Sequence, residues 1–101
     1  MILSVCVWKQ KTMREEMEKI LKREFRELAL KTRDRLGLTQ KAMSELLSMS
    51  ENSYCDIENG TYMCGTLTAT LLLSMQEDPT SLLQTWRKKF EELFAKEMQP
   101  I

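Results

Sequence analysis

At 101 residues the chain has room for one hydrophobic core and is too short for two ordinary ones; 43% apolar and 30% charged residues place it among globular rather than disordered sequences. Histidine is absent, and Cys6, Cys55 and Cys64 match no zinc spacing, so the commonest metal ligand and proton carrier is missing and neither a metal nor a cofactor is expected. A net charge of zero conceals an uneven distribution: Lys9 to Arg35 carries ten basic and six acidic residues, whereas Ala42 to Trp86 carries six acidic residues and no Lys or Arg.

Three Gly and two Pro among many helix formers predict an all-α fold. No apolar run approaches the roughly 20 residues that span a bilayer. The opening Met1 to Trp8 has no basic residue ahead of its apolar stretch, so no secretion signal is expected. The expected location is the cytoplasm, with reduced thiols rather than a Cys55–Cys64 disulfide. Three readings stand for the opening segment: an intermolecular strand, packing for the last helix, or a translated stretch upstream of a start at Met13. Apolar residues at Met13, Met17, Ile20, Leu21, Phe25, Leu28, Ala29 and Leu36 recur at helical steps and predict an extended first helix from about Thr12 to Arg35. Pairs such as Glu15/Lys19 and Glu18/Lys22 suit a solvated outer face. Gly37 is its expected stop.

Thr39 caps a second helix whose Ala42, Met43, Leu46 and Leu47 face a core. Ser48-Met49-Ser50 forms the break, with Met49 buried in the turn and Ser50 capping a third helix from Glu51 to Asn59, which Gly60 closes. Two short helices joined by a turn of three or four residues make a helix-turn-helix. Thr66 caps a fourth helix with Leu67, Leu71, Leu72 and Met75 inward. Asp78-Pro79-Thr80 interrupts the pattern, and Ser81 to Met98 forms a fifth helix with Leu82, Leu83, Trp86, Phe90, Leu93 and Phe94 on one stripe. That stripe either completes the core or forms a dimer seam. The eight methionines read as flexible gap fillers.

On Leu36-Gly37-Leu38-Thr39-Gln40, the apolar positions of the second helix, the Ser50 cap and Ile57-Glu58-Asn59-Gly60, the chain resembles the Cro/cI repressor family, also called the XRE family. The match runs from about Phe25 to Met75. The resemblance implies a lambda-repressor-like five-helix DNA-binding domain with an extended first helix and a C-terminal amphipathic helix. It would be a single domain over 1–101, with the helix-turn-helix core at about 25–76, an N-terminal extension at 1–24 and the last helix at about 80–98. It also implies an ion pair between Arg33 and Glu58, which fixes geometry more than it adds net stability.

The same resemblance assigns Gln40, first in the second helix, to a phosphate, and makes Glu51, Asn52, Ser53, Cys55 and Asp56 the residues that project into the major groove. Thr61 and Tyr62 would touch the backbone. The basic residues of the first helix read as a solvated surface; Lys31, Arg35 and Lys41, which flank the start of the second helix, are the candidates for phosphate contact. Only Asn52 offers an amide that pairs bidentately with adenine, while Glu51 and Asp56 accept only from cytosine. The chain departs from the family pattern at Ser44, at Ser48 where Gly is usual, and at Tyr54 where an aliphatic residue is usual.

The function implied is a transcriptional regulator that binds double-stranded DNA as a homodimer, with two recognition helices about 34 Å apart on a palindromic site. The alternative is a degenerate helix-turn-helix serving as a protein-interaction or antitoxin-like module, since two carboxylates and no cation stand on the recognition helix. No nucleophile, base and orienting group occur at a motif spacing, so the chain is not expected to be an enzyme.

Overall fold

The computed structural model describes the backbone of residues 2–97 and the side chains of residues 13–96. Among the described residues the chain is all-α, with five helices and no strand: α1 Ile2–Leu36, α2 Gln40–Leu46, α3 Glu51–Glu58, α4 Thr66–Ser74 and α5 Pro79–Glu97. None of these helices is long and apolar enough to cross a membrane. Among the described residues they gather into two compact units, one of residues 20–77 and one of residues 2–19 with 78–97.

The starts of α1 and α5 differ most from the sequence expectation. α1 begins at Ile2 rather than near Thr12, so the opening segment is helical and not a strand. Residues 2–11 contain neither Gly nor Pro, and nothing in them stops a helix propagating. α5 begins at Pro79, not Ser81. Asp78 caps it, accepting from the Ser81 backbone N–H at 3.2 Å and from the Ser81 hydroxyl at 2.6 Å. Proline fits the first helical position because its missing N–H has no helical partner to lose. The expected end at Met98 lies outside the described residues.

The Ile20–Glu77 unit has its core where four helices contribute. Phe25, Leu28 and Ala29 of α1 are buried, as are Met43 of α2, Leu47 just after it, Tyr54 and Ile57 of α3, Cys64, and Leu72 of α4. Steps of three and four bring these side chains to one face of each helix. Buried polar groups are satisfied: the Ser44 hydroxyl donates to Lys41 O at 2.7 Å, and Gln76 Nε2 donates to Thr32 Oγ1 at 2.9 Å and to Leu72 O at 2.7 Å. Arg35 Nη2 donates to Met75 O at 2.6 Å, tying the end of α4 to α1. Leu36, Leu46 and Leu67, expected to face inward, are exposed. Each lies within the first or last turn of its helix.

Three helix ends share one hydrogen-bond pattern. Gly37 N donates to Asp34 O and Leu38 N to Arg33 O; Ser48 N donates to Glu45 O and Met49 N to Ser44 O; Gly60 N donates to Ile57 O and Thr61 N to Asp56 O. This is the Schellman arrangement, which needs a left-handed residue after the helix. Gly37, Ser48 and Gly60 fill that place with φ of 67°, 58° and 76°. At the other ends, Thr39 Oγ1 accepts from Ala42 N and Ser50 Oγ from Ser53 N, as the sequence predicts. α4 differs: its N-cap is Gly65, with no side-chain cap, and Thr66 is the first helical residue.

In the other unit, the stripe of α5 divides. Trp86 is buried, Leu82, Phe90 and Leu93 are half-buried, and Leu83 and Phe94 are exposed. Of the two sequence alternatives, a place in the core describes Trp86 alone.

Candidate nucleic-acid interface

The site grows from two arginines on α1. Arg26 and Arg33 are seven residues apart, two helical turns, and so point the same way. Both reach the last residue of α3. Arg26 Nε donates to the Glu58 carbonyl at 2.9 Å, taking up an acceptor that the helix end leaves free. Arg33 holds the Glu58 carboxylate with two parallel bonds, Nε to Oε2 at 2.6 Å and Nη2 to Oε1 at 3.1 Å, and its Nη1 donates to Leu38 O at 3.2 Å. A planar fork on a carboxylate fixes orientation as well as distance.

Gln40, first in α2, completes the cluster. Its Nε2 donates to Glu58 Oε1 at 3.0 Å, and its Oε1 accepts from the Cys55 thiol at 3.4 Å. The end of α1, the start of α2 and the end of α3 therefore meet on one carboxylate. Glu58 is only 6% exposed. Burial opposes its ionisation, but the hydrogen bonds from Arg33, Tyr54 and Gln40 and the Arg33 charge outweigh it, and its pKa lies below the ordinary carboxylate value. Tyr54 is fully buried beneath it, its hydroxyl 3.5 Å from Ala29 O. Burial, reinforced by the Glu58 carboxylate, raises the Tyr54 pKa and keeps the phenol neutral.

The residues assigned to DNA fall into two groups. Glu51, Asn52 and Asp56 of α3 are exposed on its outer face, and Lys41 is exposed on α2. Tyr62 is exposed past the end of α3. The others make bonds within the protein: Gln40 as described, Ser53 with the Ser50 cap, Cys55 with Gln40, and Thr61 through its hydroxyl to Asp56 O at 3.2 Å. Ser53 and Cys55 are half-buried at the edge of that face.

Sequence reasoning gave Arg26 no role at this site. The available signal was its two-turn spacing from Arg33. Cys55 and Cys64 are free thiols, and burial pushes the Cys64 thiol up to about 11, which makes it a poor nucleophile. Among the described residues no group of acidic or cysteine side chains is arranged to hold a metal ion. The chain matches no family model, no curated protein and no solved structure.

Proposed function

We propose that this chain is a DNA-binding regulator of transcription with a lambda-repressor-like, Cro/cI-type helix-turn-helix, working as a homodimer. The observation that carries the reading is the clamp on Glu58. A recognition helix reads bases only if its exposed side chains are held at a fixed angle to the backbone-contacting elements, and Arg26, Arg33 and Gln40 bind α3 at its end to both α1 and α2.

In this mechanism Asn52 is the base reader, its amide directed at adenine in the major groove, and Lys41 meets a phosphate. Gln40 acts through its hold on Glu58 and Cys55, setting the angle of α3. Glu51 and Asp56 limit the partners: they select against guanine-facing edges and weaken non-specific association by repelling phosphate.

A second reading has its own observation. Glu51 and Asp56 stand exposed on α3 in a stretch, Ala42 to Trp86, without a single Lys or Arg. Such a face suits a basic protein partner, as in an antitoxin-like module. Binding to random-sequence duplex DNA at low and at moderate salt separates the two. The regulator reading expects binding at low salt that weakens as salt rises. Absence of binding at low salt would sink it, and a gain in affinity without sequence preference in Glu51→Gln would favour the degenerate module.

A further inference from the structure

We infer that the outer face of α5 is a self-pairing surface, on which a second copy of this chain lies antiparallel with its own α5. Leu83, Phe90 and Phe94 are spaced by seven and four residues and share one sector of the helix, with the buried Trp86 at its edge. They line an open apolar groove together with Trp86, Arg87 and Glu91. Leu83 is 48% and Phe94 42% exposed, two large apolar side chains eleven residues apart on one helix. The occupant is set by the charge on the rim. Arg87 and Glu91 lie along the same flank of that sector, their side chains 3.0 Å apart and open to solvent.

In an antiparallel pair related by a two-fold axis, each helix presents the same flank to its partner. With the axis level with residue 89, Arg87 faces the partner's Glu91 and Glu91 faces the partner's Arg87. Leu83 then sits beside the partner's Phe94, and the two Phe90 rings meet at the centre. A parallel pair puts the charged flanks on opposite sides of the seam, and neither ion pair crosses it. The charge order is therefore self-complementary in one orientation only. This surface deepens the dimeric part of the reading above and does not depend on DNA.

The test is the mass of the full-length chain in solution, measured without DNA by sedimentation over a range of concentrations. The wild type is expected to dimerise, and Phe94→Asp, at a half-exposed position, to shift the midpoint upward by about tenfold or more while its circular dichroism stays helical. Arg87→Glu and Glu91→Arg each place like charges across the seam and weaken self-association. Mixed one to one, the two variants should associate with each other better than either does with itself, although the intrachain pair is broken in both. A wild type that stays monomeric up to about 100 μM overturns the inference, as does a mixture no tighter than its components. DNA binding by such a monomer would leave the regulator reading standing; a dimer indifferent to DNA would do the reverse.

Discussion

Ser48 holds a backbone conformation that glycine adopts freely and serine does not. Its φ of 58° is imposed by the bonds from Ser48 N and Met49 N that close α2, and Gly37 and Gly60 do the same work at the ends of α1 and α3. A residue with a Cβ gives up about 1–2 kcal/mol in this region, partly offset because glycine loses more freedom on folding. Ser48→Gly should therefore stabilise the protein by roughly 0.5–1 kcal/mol, read as a higher urea midpoint at unchanged slope. Arg33→Ala acts in the opposite direction, leaving the Glu58 carboxylate buried without its fork. The expected cost is about 3 kcal/mol, the lower end for a broken buried pair because Arg33 keeps some exposure. A thermal melt unmoved by Arg33→Ala contradicts the clamp. The same carboxylate sets a pH dependence. Because its folded pKa lies below the ordinary value of 4.5, its contribution is complete above that value and fades as pH falls through the folded one. The stability difference between wild type and Glu58→Gln should accordingly be largest near neutral pH and shrink as pH falls below the ordinary value of 4.5, in melts across that range.

At the scale of the element, Asp78-Pro79 is a start signal that resembles a break. Proline interrupts a helix from within yet suits its first position, and an acidic residue just before it completes the cap. Asp78→Ala removes both bonds to Ser81, so the Ser81 amide should exchange with solvent faster while amides near Phe90 keep their protection. Equal exchange at Ser81 in both proteins would mean that the cap does not hold the first turn. The same ambiguity explains what the sequence does and does not reveal. α2 and α3 were legible because Thr39 and Ser50 are side-chain caps, Gly60 is a stop, and Met43, Leu47, Tyr54 and Ile57 keep a helical period between them. The first turns of α1 were not, since residues 2–11 lack the even amphipathic spacing that marks a buried face. The pairing of Arg33 with Glu58 could be anticipated from the family resemblance; the reach of Arg26 to a backbone carbonyl could not, because a carbonyl acceptor leaves no mark in sequence. Likewise the period of α5 marks a single stripe, whereas the division of that stripe into buried Trp86 and exposed Leu83 and Phe94 depends on what lies against it.

At the scale of the whole molecule, the charges of the chain are separated along its length, with a basic excess before Arg35 and only acidic charge from Ala42 to Trp86. Under the proposed DNA-binding reading, α3 would supply little non-specific affinity and base contacts would have to supply more, so the preference for a cognate site should be large relative to the grip on other DNA. The most direct measurement is selection from random-sequence duplexes at low salt, followed by affinities of wild type and Asn52→Ala for the recovered duplex and for a scrambled one. Wild type is expected to favour the recovered duplex, and Asn52→Ala to lose about 1–3 kcal/mol of that preference at one A·T pair while keeping its affinity for the scrambled sequence. Failure of any duplex to be enriched, with no binding at low salt, would contradict the claim that this helix-turn-helix reads DNA.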